Sequence, residues 1–259
     1  AIDEEKIYFG SDNGYFWALN QKNGEIAWKY KVGLRAQGKS IFSSPVIHNG
    51  IIYFGSYDGN VYALNTQTGD HKWVFREAEW VGSSPAISSK LNLLFIGLEF
   101  GLFKKRGGIA ALDLKTGEKK WEYREISEYV HCSPAYCSEK NIVAIGTNDF
   151  HVYLFNAKNG KLKWKFKTEG EIKASLDFDI ENNLVIFGSF DKHLYALDID
   201  SGELKGKFAT YDIINSTPLV YKDNAYVASF DKNLYSINLK TGELNWRFSA
   251  NGRFLASPV

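Results

Sequence analysis

The residues best equipped for chemistry fall into two groups. The first is a run of three cations, Lys104, Lys105 and Arg106, inside the segment Glu99–Gly108, which also carries Phe100 and Phe103. Ammonium and guanidinium groups there could grip the carboxylate or phosphate oxygens of a partner. Two phenylalanines are ill suited to bare solvent, although a tolerated solvated loop remains the plainer alternative. The second group is Trp80, Tyr129, His131, Lys173, Asn215, Arg253 and Phe254, with Lys39, Phe42 and Glu79 beside them. Trp80 could stack a ligand or anchor a protein interface, or simply cap a packed end. Lys173 and Arg253 could bind an anion or stand as solvated charge, and His131 could serve no more than one satisfied hydrogen bond.

Other chemistries are weaker. Asp58, Asp149, Asp191 and Asp231 recur at tight turns and invite a calcium reading, but aspartate is favoured at such turns for local reasons. Cys132 and Cys137 are five residues apart, roughly 16 Å along an extended strand at ~3.3 Å per residue, too far for a disulfide. Two free thiols are expected; they lean toward a reducing, cytoplasmic compartment and form no metal site. No nucleophile–base motif, P-loop or dinucleotide fingerprint is present, and Gly107-Gly108 alone is no phosphate signal.

The elements that must position these residues are repeats. Ile52-Tyr53-Phe54-Gly55, then Asp58-Gly59, Val61-Tyr62-Ala63-Leu64 and Thr68-Gly69…Trp73 form one unit. Its text returns at Ile7–Trp28, Leu94–Trp121, Val143–Trp164, Val185–Gly206 and Ala225–Trp246. All five prolines, 45, 85, 134, 218 and 258, occupy one slot of the repeat. A small residue, a glycine six places on and a tryptophan four further recur as Ala18/Gly24/Trp28, Ala63/Gly69/Trp73, Ala111/Gly117/Trp121 and Ser236/Gly242/Trp246. Leu154 replaces the small residue in the fourth copy and Gly206 the tryptophan in the fifth; those boundaries should be weaker or packed differently.

Each copy reads as four short strands with period-two alternation and a tight turn between the second and third. A four-stranded unit near forty residues long is the signature of a propeller blade. The chain is therefore expected to be an all-β propeller of four-stranded antiparallel blades, one domain over residues 1–259. The first copy lacks a first strand and Leu255–Val259 supply one, so six repeats would close through the N- and C-terminal strands into a monomeric ring; a fragment of a seven- or eight-bladed ring is the alternative. The loops on one face of that disc, between the last and first strands and between the second and third, would carry both groups of candidate residues. The third copy alone has fourteen rather than eight residues from strand glycine to small position, Gly97 to Ala111.

The pattern Ala-Leu-Asp-x-x-Thr-Gly-Glu-x-x-Trp resembles the tryptophan-docking motif of pyrroloquinoline-quinone (PQQ)-type repeat propellers. That family includes quinoprotein alcohol dehydrogenases and a non-catalytic propeller lipoprotein of the bacterial outer-membrane assembly machine. The resemblance implies either a scaffold that binds a protein or small ligand through one face, or a dehydrogenase using PQQ and calcium. Similar dehydrogenases carry a disulfide between adjacent cysteines, which Cys132 and Cys137 are not, and long pocket-building insertions where this chain has one of six residues. The scaffold is thus the preferred expectation, without a cofactor; a sensor domain of a larger protein is a further alternative. The resemblance points to a periplasmic or extracytoplasmic place, against the thiols.

Composition agrees. Thirty-one basic against thirty acidic side chains leave a net charge of +1, which argues against nucleic-acid binding. No stretch reaches the eighteen or so apolar residues that cross a bilayer, and a soluble chain is expected. There is no Met, so the chain reads as processed or as a fragment.

Overall fold

Alternating apolar residues punctuated by residues that accept a left-handed backbone fold here into antiparallel meanders and nothing else. The computed structural model describes residues 1–33 and 40–258; Lys39 and Val259 lie outside them. The strands are β1 (Lys6–Gly10), β2 (Tyr15–Asn20) and β3 (Ile26–Lys31); β4 (Val46–His48), β5 (Ile51–Gly55), β6 (Val61–Asn65) and β7 (His71–Phe75); and β8 (Ala86–Ser88), β9 (Leu93–Phe100), β10 (Arg106–Asp113) and β11 (Lys119–Ile126). They continue as β12 (Ala135–Cys137), β13 (Ile142–Gly146), β14 (His151–Asn156) and β15 (Leu162–Lys167); β16 (Asp177–Asp179), β17 (Leu184–Gly188), β18 (His193–Asp198) and β19 (Leu204–Ala209); and β20 (Leu219–Tyr221), β21 (Asn224–Ala228), β22 (Asn233–Asn238) and β23 (Leu244–Ser249). Each sheet is ordered as its strands occur in the chain, three strands in the first and four in the other five. The protein is an all-β propeller of antiparallel blades in six repeats.

Two compact units contain these blades: Ala1–Pro134 with Lys158–Gly160, and Ala135–Ala157 with Lys161–Val259. In the first unit Trp28 donates its indole N–H to the Thr66 carbonyl at 2.9 Å and Trp73 to that of Leu114 at 3.0 Å. The rings lie on Gly69 and Gly117, where a Cβ would come within 2.7 and 2.6 Å of indole carbons. Both glycines have positive φ, so any other residue there would be strained as well as obstructive. The second unit repeats the arrangement with Trp164, the Ile199 carbonyl at 2.8 Å and Gly202. Burying one indole removes about 150–250 Å² from water, roughly 4–6 kcal/mol as an upper bound.

The expected turns between second and third strands are present. Gly14, Gly59, Phe150, Lys192 and Lys232 all take positive φ at the same place, so Asp-Phe and Asp-Lys make the turn that Asp-Gly makes more cheaply. The first blade carries an additional edge pairing. Ile2 bridges Ile7 in antiparallel register, and Ala1 and Tyr8 exchange main-chain hydrogen bonds. This is the pairing that Ile47 makes with Ile52 in the next blade. Residues 1–3 thus lie along the edge of β1 within the first unit.

Candidate functional site

The third blade stands out by the length of its strands. β9, β10 and β11 have eight residues each, where the other long strands have five or six. The segment Glu99–Gly108, expected as a loop, is mostly ladder: Phe100 pairs with Arg106, Glu99 with Gly107 and Leu98 with Gly108. Alternation simply continues past the level at which the other blades turn, and only residues 101–105 form the tip. Gly107 allows this, since a Cβ there would lie 2.4 Å from Val130 and 2.5 Å from the Glu128 carbonyl.

The tip is held from below. Glu79 accepts the backbone N–H of Gly101, and that of Leu102 at 2.7 Å, on one carboxylate oxygen. Trp80 bridges Glu99 through main-chain bonds of 3.2 and 3.0 Å, which accounts for a tryptophan outside the docking slot. Its half-buried indole meets the Tyr129 ring edge-on, centroids 6.1 Å apart. Gly101 passes between them: a Cβ would sit 2.5 Å from the Tyr129 hydroxyl and 2.7 Å from the indole. The Lys105 ammonium lies 5.3 Å from the Tyr129 centroid and 3.9 Å from Glu128.

Behind this layer, Glu99 is 2% exposed. Its Oε1 stands 3.1 Å from Nδ1 of His131, in the geometry of an ion pair rather than a directed hydrogen bond. The His131 ring is 6.0 Å from that of Tyr129. Burial, with the charge of Glu99 adding to it, raises the Tyr57 hydroxyl above the ordinary phenol range; Phe42 packs edge-on against the same tyrosine at 5.1 Å.

Trp80, Tyr129, His131 and Lys105 are thus brought together within the first unit, with Glu79 locking the tip. Phe103, 98% exposed, and Leu102, 68% exposed, project from it beside exposed Lys104 and Arg106. The sequence reading missed the role of Glu99. Its signal was an acid within the otherwise apolar run Leu93-Leu94-Phe95-Ile96-Gly97-Leu98, a place where a strand tolerates charge only with a partner.

The remaining candidates, Lys173, Asn215, Arg253 and Phe254, belong to the second unit. Lys173 pairs with Glu171 at 2.7 Å and covers the Phe190 ring at 4.8 Å. Arg253 lies over Phe230 at 5.5 Å, Asn215 is exposed and Phe254 half-buried. The turn aspartates are engaged locally. Asp58, Asp149, Asp191 and Asp231 each accept the hydroxyl of the tyrosine four residues on, Tyr62, Tyr153, Tyr195 and Tyr235, at 2.5, 2.9, 2.6 and 2.7 Å. Burial alone would raise Asp191 and Asp231, but these hydroxyls and the turn amides outweigh it and hold both below the usual carboxylate range.

Chemically, the third-blade cluster combines an apolar tip, a basic rim, and an aromatic floor with one imidazole. Cys132, next to His131 in the chain, is buried with its thiol turned to the Ser133 carbonyl. Glu79 accepts the tip amides, Glu99 stands beside His131, and Cys132 and Cys137 are free thiols. Among the described residues no three His, Cys, Asp or Glu side chains are grouped to hold a metal ion, and no helix is long and apolar enough to cross a membrane.

The family described as outer membrane protein assembly factor BamB matches residues 1–129 and 131–249. Among solved structures, BamB from Moraxella catarrhalis superposes with a TM-score of 0.80 at 17% identity, over 98% of this chain and 77% of that one. A europium-containing methanol dehydrogenase gives 0.69 at 12% identity, over 100% and 79%. A quinohemoprotein alcohol dehydrogenase from Pseudomonas putida HK5 gives 0.82 at 16%, over 100% and 59%. At these identities the structural likenesses speak for the fold alone. No curated protein sequence matches the chain.

Proposed function

Because the chain belongs to the family of the outer membrane protein assembly factor BamB, we propose that it is a non-catalytic propeller that binds a partner protein through the third-blade hairpin. The observation that carries this reading is the tip. Phe103 is 98% exposed, yet the backbone behind it is pinned by Glu79. A rigid, exposed ring loses little conformational entropy on docking and makes a good anchor. Lys104, Lys105 and Arg106 around it favour a partner surface with carboxylates.

On this reading no cofactor is needed, and PQQ with calcium should give no binding heat in calorimetry at high micromolar concentration. The family description supports a role in outer-membrane assembly and, with it, a place on the extracytoplasmic side of the inner membrane. The direct test is a photoreactive amino acid at Phe103 in cells, with the cross-linked partner identified by mass spectrometry. An outer-membrane assembly protein is expected, and replacement of Lys104, Lys105 and Arg106 by serine should lower its yield severalfold. The absence of a cross-link, or one indifferent to the cations, would remove the hairpin from the interface.

A further inference from the structure

The second unit contains a docking slot without its indole. At the intact boundaries three things receive each tryptophan: a small or aliphatic residue on its own blade, a glycine in the turn of the next, and a carbonyl three residues before that glycine. Those carbonyls belong to Thr66, Leu114 and Ile199, which are 3%, 2% and 0% exposed. In the fifth blade Gly206 pairs with Ala196 and brings no side chain. Gly242 holds the receiving backbone, φ +72°, with nothing within 4 Å of where its Cβ would be. Leu239, the counterpart of Leu114, is half-buried rather than buried, and no described residue donates to its carbonyl. Leu194, Ala196, Gly206, Phe208, Leu239 and Gly242 line an open, largely apolar cleft.

We propose that this cleft docks a tryptophan side chain presented by a partner polypeptide. The ring lies flat on Gly242 and covers Ala196, and its N–H is donated to the Leu239 carbonyl, as Trp164 does to Ile199 one blade earlier. The shape, the glycine floor and the single acceptor are the features that select an indole at the intact boundaries. The way in is open because β19 is the outermost strand of its sheet and Gly206 places nothing over the gap. This inference rests on the repeat geometry and is independent of the third-blade hairpin.

The test is a titration of the full chain with the peptide Gly-Gly-Trp-Gly-Gly, followed by methyl and amide NMR. Saturable shifts confined to Ala196, Gly206, Leu239 and Gly242 are expected, with the Phe peptide about fivefold weaker for want of one hydrogen bond. Gly206→Trp should abolish the shifts and raise Tm by refilling the slot. Gly206→Leu, which fills the gap with aliphatic carbon where a Cβ would meet only Ala196 at 3.6 Å, should weaken binding at least tenfold if the first variant folds poorly. A raised Tm in Gly206→Trp with no saturable shift in the parent protein would mean a decayed boundary and overturn the proposal. Free indole binding as tightly as the peptide would overturn the polypeptide as its source. So would self-association abolished by Trp246→Ala, since Trp246 is 45% exposed and a second copy could then be the occupant.

Discussion

His131 and Glu99 form a pair in which one partner is buried and the other reaches the surface: their Nδ1 and Oε1 are 3.1 Å apart, with the carboxylate side chain 3% and the imidazole 34% exposed. Removing the imidazole leaves the carboxylate to face its desolvation alone. His131→Ala is expected to cost about 1–3 kcal/mol, and adding Glu99→Gln should recover most of it. Thermal denaturation of the four proteins of this double-mutant cycle measures the coupling; strict additivity would dissolve the pair.

The docking tryptophans are chemically identical but differ in burial, which provides an internal control. Trp73 is 7% exposed and Trp246 45%. Trp73→Ala should cost about 3–5 kcal/mol, and Trp246→Ala well under half of that. Urea midpoints for the two variants check the order, and equal losses would show that the indoles do not act through burial.

Gly101 is a passage rather than a hinge. Its φ is not in the left-handed region, so strain is not the issue; space is. Gly101→Val would drive side-chain carbon into the Tyr129 hydroxyl and the Trp80 ring, 2.5 and 2.7 Å from the Cβ position. The tip should lift from its aromatic floor, seen as a change in near-ultraviolet circular dichroism, while Tm falls only slightly because the ladder below persists.

The tyrosines make stability sensitive to alkali. Burial, and then the aspartate each one bonds, push Tyr62, Tyr195 and Tyr235 well above the ordinary phenol range, while burial, with the charge of Asp113, pushes Tyr53 up to about 12. A folded-state value raised above the unfolded one contributes stability that is intact below about pH 10, the unfolded phenol value, and is lost as pH rises beyond it. Absorbance at 295 nm should therefore show these phenols ionising together with unfolding. Smooth titration near pH 10 in the folded protein would contradict the burial described here.

Asp191 and Asp231 work in the opposite direction. Their folded-state values are depressed, against burial, chiefly by the hydroxyls of Tyr195 and Tyr235, so their contribution is present above the usual carboxylate range and lost as pH falls below about 4. Tyr195→Phe should flatten the acid limb of a Tm-against-pH curve; an unchanged limb would place the acid sensitivity elsewhere.

The repeat, the blade and the docking role of Trp28, Trp73 and Trp164 could be read from the amino-acid sequence because they depend on local information. Alternation, turn aspartates and a fixed offset from glycine to tryptophan all lie within about a dozen residues. The same locality exposed Gly206 as a departure, and the structure shows the cleft that follows from it. The site is a different matter. Glu79, Trp80, Glu99, Gly101, Tyr129 and His131 meet across the chain from residue 79 to residue 131, and no spacing rule brings them together. That Glu99 would be buried against His131, that the insert would be ladder rather than loop, and that Lys173 would be claimed by Glu171 were decided by packing between strands, where burial and close approach select partners that linear order does not name.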